Sequence, residues 1–151
     1  MILRMTYILD TNILVHTLRN SPLSTQIETQ FDPYGTSNEA LISTVSIGEL
    51  YSLAKRNRWG SSRMQSVYVL LKKLKPISVE GEDLMESYAD IDTFSQGKHP
   101  ILSSGRSSIN MGKNDLWIAA TAAVFQATLL TTDKDFDHLN NVFIKIERLV
   151  V

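Results

Sequence analysis

The sequence predicts an α/β fold organised on a parallel sheet, and three observations lead there. Short apolar runs alternate with longer stretches whose apolar residues recur at helical spacing, and parallel strands need such crossovers. Four acids, Asp10, Glu49, Asp115 and Asp133, stand where an apolar run ends or a helical pattern begins. The 151 residues, 43% hydrophobic and 21% charged, suit one domain with one substantial core. No linker or internal repeat divides the chain, so residues 1–151 are expected to form a single domain.

Tyr7, Ile8 and Leu9 form the first strand, which delivers Asp10-Thr11-Asn12 to a helix marked by Ile13, Leu14 and Leu18. Asn20-Ser21-Pro22 breaks that pattern, and residues 24–31 suit a second short helix. Asp32-Pro33-Tyr34-Gly35 is a turn in which Pro presets φ and Gly tolerates a positive value. The second strand is placed at 41–45, and Ser46-Ile47-Gly48-Glu49 opens the third helix, with Ile47, Leu50, Tyr51 and Ala54 on one face. After Trp59-Gly60-Ser61-Ser62, the positions Val67, Leu70, Leu71 and Leu74 mark a fourth helix, followed by a strand at 76–79. Leu84, Tyr88, Ile91 and Phe94 mark the next helix. Residues 97–112 then lose all period and carry Pro100, Gly105 and four serines, the composition of a mobile or functional loop. A helix over 114–127 follows, its alanines Ala119, Ala120, Ala122 and Ala123 small enough for close approach to a sheet. Leu129-Leu130 forms a strand, 135–139 a short helical turn and 142–146 the last strand.

Open parallel sheets bind ligands outside the carboxyl ends of their strands, which is where Asp10, Glu49 and Asp133 are placed. Each acid also has an ordinary explanation. Asp10 and Asp133 suit helix or turn caps, Ser46-x-x-Glu49 matches a capping box, and Asn114-Asp115 matches an N-cap with a first-turn acid. Together the four would repel one another, and at least one would take up a proton unless a cation were bound. Mg²⁺ or Mn²⁺ with oxygen ligands resolves that repulsion, activates a water and clamps a phosphodiester.

In order along the chain, Asp10-Thr11-Asn12 after a short strand, Ser46-x-x-Glu49-Leu50 on a helix, Asn114-Asp115 before Ile118-Ala119-Ala120-x-Ala122, and Thr131-Thr132-Asp133-x-Asp135-Phe136 resemble the successive signatures of PIN-domain ribonucleases. Order, spacing and length are closest to the VapC-type toxins of type II toxin-antitoxin modules. The resemblance implies a three-layer α/β/α sandwich with a mostly parallel sheet and a Mg²⁺- or Mn²⁺-dependent endoribonuclease. It implies that Asp10, Glu49, Asp115 and Asp133 are the metal-binding acids, with Asp10 and Asp115 the direct ligands. Thr131, and Thr11 or Asn12, would orient them, and Asp135 would act beside or in place of Asp133. It also implies a VapB-like antitoxin and a homodimer. The alternative is a PIN-like domain that binds RNA or protein without cutting. The segment 97–112 is longer than the usual connection before the Asn-Asp pair.

Other signals carry less. Gly105 to Lys113 has the wrong spacing for a phosphate loop, Ser52-x-x-Lys55 lacks its companion motifs, and His16, His99 and His138 lack metal-ligand spacing. The first acid lacks the second Asp, two residues on, that a haloacid-dehalogenase-type phosphatase needs, because Asn12 stands there. With no cysteine, disulfide, zinc-ribbon and thiol chemistry are excluded. No apolar run reaches the ~18 to 20 residues of a membrane helix, and Met1 to Met5 is too short for a signal peptide, so a cytoplasmic protein is expected. Net charge is −1, yet seven Lys and Arg lie between Lys55 and Lys75 with no acid, and six acids between Glu80 and Asp92 with no base. The basic segment, including Lys72, Lys73 and Lys75 with Trp59 and Tyr68 interleaved, suits either an RNA track or two ordinary helices with solvated faces. Arg106 in the 97–112 segment is a second possible RNA contact.

Overall fold

The structure is a computed structural model that describes residues 3–151; Met1 and Ile2, part of the N-terminal segment discussed above, lie outside it. Five strands form one sheet in the order β3-β2-β1-β4-β5, every neighbouring pair parallel. They are β1 Thr6–Leu9, β2 Glu39–Ser43, β3 Lys75–Ile77, β4 Thr128–Thr131 and β5 Lys145–Arg148. Helices α1 Thr11–Arg19 and α2 Pro22–Gln30 connect β1 to β2, and α3 Thr44–Arg56 and α4 Ser61–Leu71 connect β2 to β3. Helices α5 Glu82–Ser95 and α6 Lys113–Phe125 lead to β4, and a short 3₁₀ helix, Lys134–Leu139, leads to β5.

Alternation along the strands sorts the helices into two outer layers. Ile8, Leu41, Leu129 and Ile146 pack with Leu84, Ile91 and Phe94 of α5 and with Leu116, Ile118 and the alanines of α6. Tyr7, Leu9, Ala40, Ile42 and Leu130 face the other way, onto Ile13 and Leu14 of α1, Leu23 and Ile27 of α2, Leu50 of α3 and Leu70 of α4. The result is the three-layer sandwich expected, with a sheet that is parallel throughout. Helix α6 is apolar nearly all round because it is enclosed by the sheet and by α5, where Tyr88 meets Trp117 at 4.1 Å between ring centroids. Among the described residues no helix is long and apolar enough to cross a membrane.

Several boundaries differ from expectation. Strand β2 ends at Ser43 and not at 45, because Ser43 caps α3 through the Val45 N–H at 3.2 Å. Strand β3 lies one residue earlier and is shorter. The last strand begins at Lys145, since Asn141 adopts φ 61° and Val142 to Ile144 complete a turn held by the Asn141 N–H on Ile144 O at 2.8 Å. In the turn at Asp32, the left-handed residue is Asp32 itself, φ 46°, and not Gly35. A Cβ at Gly35 would meet the carboxylate of exposed Asp32, which would have to turn away.

The segment 97–112 forms no helix or strand, but it is tied to the body. The Ile109 N–H donates to Ser95 O at 2.8 Å, and buried Met111 receives the Ser95 hydroxyl, whose Oγ lies 2.7 Å from His138 Nε2.

The close fit of α6 is testable. Ala120 is fully enclosed, so Ala120→Leu overfills the helix–sheet contact and should cost about 1–3 kcal/mol. For a domain of this size that lowers the thermal midpoint by roughly 3–10 °C; an unchanged midpoint would contradict the packing described.

Candidate active site

The order β3-β2-β1-β4-β5 reverses direction between β1 and β4. Crossovers leave to opposite sides at such a point and open a crevice beyond the strand ends. Asp10 follows β1 and Asp133 lies two residues after β4, so the topology itself brings these acids together. Glu49 arrives on α3 and Asp115 in the first turn of α6.

Asp10 is held most firmly and is only 5% exposed. It is the N-cap of α1, Oδ1 accepting the Thr11 N–H at 2.7 Å, while Oδ2 accepts the Thr131 hydroxyl at 2.7 Å. The Thr131 Oγ1 also accepts the Asp133 N–H at 3.0 Å, so one hydroxyl sets both acids. Glu49 accepts the Thr11 hydroxyl at 2.7 Å, and Asp133 caps the 3₁₀ helix through the Asp135 N–H at 2.8 Å. The capping roles of Asp10 and Asp133 are therefore real and coexist with membership of the cluster. In the other two explanations the capping role fails, although Asp115 is the first-turn acid of α6 that was expected. Ser46 lies inside α3 with its buried hydroxyl unpartnered, and Glu49 sits in the second turn; α6 is capped at Gly112, so Asn114 is not its cap.

Electrostatics show the convergence. Burial raises Asp10 from 3.8 to about 6, opposed by its two hydrogen bonds and reinforced by Asp133 and Glu49. Asp115 is raised from 3.8 to about 7, first by burial and then by the charges of Asp10, Asp133, Glu49 and Asp135. The four other predicted acids thus all act on Asp115.

The side chains fit a hard cation in their chemistry. Every donor is oxygen, and two further atoms on these elements, Asn12 Oδ1 and Ser46 Oγ, are enclosed without a protein partner. As the rotamers stand, no three His, Asp or Glu side chains among the described residues form a group that could hold an ion by themselves. Mg²⁺ does not require such a cage, since it retains waters and takes one or two carboxylates. Asp10 and Asp115 are the pair that would hold it, with Glu49 and Asp133 facing them.

Thr131 and Thr11 each hydrogen-bond one of the acids, Asp10 and Glu49 respectively. Lys72, Lys73 and Lys75 are not brought to the crevice. Lys75 pairs in register with Leu41, midway along β2, and Lys72 and Lys73 precede it toward the opposite sheet end, where Lys73 Nζ lies 6.0 Å from the Tyr34 ring. Arg106 lies on the 97–112 segment close enough for its charge to lower the pKa of His138, after burial as the larger cause. Ser46 is the site residue whose sequence signal misled, because the same S-x-x-E pattern describes a cap.

Fold and site thus define an α/β protein with a carboxylate cluster at the switch point of a parallel sheet. The profile of the PIN domain matches residues 7–142, and the chain belongs to that family. The structure is similar to a chain of VapBC2 from Rickettsia felis bound to a DNA fragment from their promoter, with TM-score 0.76 and 23% identity over 96% of this chain and 99% of that one. VapBC-1 from nontypeable Haemophilus influenzae gives 0.70 and 22%, covering 95% and 98%. FitAcB from Neisseria gonorrhoeae gives 0.62 and 19%, covering 94% and 96%. At these identities the likeness is one of fold. Curated protein sequences gave no significant match.

The raised acids have a consequence for stability. Both folded values lie above the ordinary 3.8, so between that pH and about 7 the folded protein holds protons that the unfolded chain has released. Stability from these groups is complete at lower pH and falls as pH rises through the window. In metal-free protein at pH 8, Asp115→Asn should therefore raise stability by on the order of 1 kcal/mol, allowing for the half-exposed carboxylate. The thermal midpoint should rise by about 2–4 °C; a lower midpoint in the variant would contradict the repulsion.

Proposed function

We propose that the chain is a VapC-like toxin: an endoribonuclease that depends on Mg²⁺ or Mn²⁺, hydrolyses RNA phosphodiester bonds with water, and is restrained by a VapB-like antitoxin. The observation that carries this reading is the pair Asp10 and Asp115, both raised toward neutrality by burial and by the charges of Asp133 and Glu49, with Asp135 acting on Asp115 as well. Family membership supports it, as does likeness to proteins described as a toxin-antitoxin complex from Klebsiella pneumoniae and as the VapBC family member VapBC-5 from Mycobacterium tuberculosis.

The chain's contribution is positioning. Thr131 and the Thr11 N–H fix both oxygens of Asp10, and the Thr11 hydroxyl holds Glu49 beside it. Asp115 enters from α6, and its raised pKa keeps it partly protonated near neutrality, so that it would give up that proton on holding a cation. When bound, such an ion lowers the pKa of a water and neutralises charge on the phosphate. No side chain need act as nucleophile.

Purified, antitoxin-free protein should cut cellular RNA into discrete fragments with Mn²⁺ or Mg²⁺ and not with EDTA. Asp115→Asn should lower the rate at least about a hundredfold. Thr131→Val, which keeps the shape but removes the hydroxyl on Asp10, should lower it by about 10–100-fold. Equal cleavage by Asp115→Asn would overturn the assignment. Absence of cleavage by the parent, with metal binding confirmed, would favour a binding module that does not cut.

A further inference from the structure

The α3–α4 hairpin carries a second surface, distinct from the acids. Between the C-terminal half of α3 and α4 lies an open groove of about 400 Å³ lined by Tyr51, Lys55, Arg58, Trp59, Met64 and Tyr68. Tyr51 and Tyr68 are 39% and 46% exposed, and the Arg63 guanidinium stands 5.2 Å from the Trp59 ring centroid. Leu50, Ala54, Val67 and Leu70 of the two helices are buried, whereas Tyr51 and Tyr68 stand exposed on the groove and Trp59 is partly exposed.

Charge says what kind of partner fits. The run from Lys55 to Lys75 contains no acid, and among the described residues Lys55, Arg56, Arg58 and Arg63 form no ion pair. Solvent-reached aromatic rings beside cations that have no acidic partner are the elements with which proteins hold single-stranded nucleic acid, rings stacking on bases and cations meeting phosphates. An acidic protein segment would satisfy the charge but offer the rings no planar partner. Glu49 of the acid cluster and Lys55 of the groove both lie on α3, separated by roughly 9 Å along the helix axis.

We propose that this groove binds a single-stranded segment of RNA, with Tyr51, Trp59 and Tyr68 stacking on bases and Lys55 and Arg58 contacting phosphates. The identity of the polyanion as substrate rests on the ribonuclease reading. The hairpin surface, and not Lys72, Lys73 and Lys75, is then the part of the basic run that meets RNA.

The test is binding of a labelled, unstructured RNA of about twelve nucleotides to the Asp115→Asn protein in EDTA, which separates binding from cutting. Replacing Trp59 and Tyr68 together by Ala should weaken affinity at least about fivefold with little change in salt slope, and Trp59→Phe should bind like the parent. Replacing Lys55 and Arg58 together by Glu should weaken it at least about tenfold and flatten the dependence of log K on log salt by roughly 1.4. Parent-like affinity and slope in both double variants would overturn the proposal. So would loss in the charge variant alone, with polyaspartate competing as well as RNA, which would mark a general anion surface. The two readings fail separately. Cleavage by the wild-type protein with unaffected binding in the groove variants would remove only the groove; groove-dependent binding without wild-type cleavage would remove only the nuclease.

Discussion

Carboxylates forced together in a half-dry crevice set the terms for the rest of this molecule. Asp10 is almost out of water, and its two oxygens are committed to the Thr11 N–H and the Thr131 hydroxyl. Those bonds favour the charged form but do not outweigh burial, so its pKa remains raised. The pKa of Asp115 is raised further still, to about 7, first by burial and then by the charges of four other acids. A fold does not assemble such a site for stability, since each uncompensated charge weakens it. The arrangement becomes favourable when a cation replaces the protons, and the all-oxygen donor set suits a hard one.

The sheet explains why these acids meet. Reversal of strand order between β1 and β4 puts the ends of two non-consecutive strands side by side, and Thr131 joins them by bonding Asp10 across 121 residues of sequence. Helices α3 and α6 then enter from opposite layers, each bringing one acid near its N-terminal end. Backbone N–H groups at those ends ease the local negative charge without neutralising it.

Much of this was legible in the chain. The strand–helix alternation dictated parallel crossovers, and the acids at run ends marked the sheet edge at which they gather. Strand boundaries were less legible where two residues compete for one role. Ser43 and Ser46 are both good caps, and pairing of Glu39 with Thr6 decided for Ser43 by fixing where β2 lies. Val142 to Ile144 have strand composition but fold as a turn, and the less apolar Lys145–Arg148 makes the ladder with β4. The resemblance singled out Thr131 and Thr11, but which acid each one bonds was not legible, because the Thr11–Glu49 and Thr131–Asp10 bonds join residues 38 and 121 apart, which no local pattern encodes. The basic run also looked continuous in sequence, yet the fold divides it between an aromatic hairpin groove and a stretch leading into β3.

The most direct test of the central claim is proton release on metal binding. Mn²⁺ titrated calorimetrically into the metal-free protein at pH 6.5, in buffers of different ionisation enthalpy, counts the protons each ion displaces. The account predicts release of about one proton per ion at that pH, little at pH 8.5, and markedly less at pH 6.5 in Asp115→Asn. Tight binding with no proton release at pH 6.5, or release unchanged by Asp115→Asn, would contradict it.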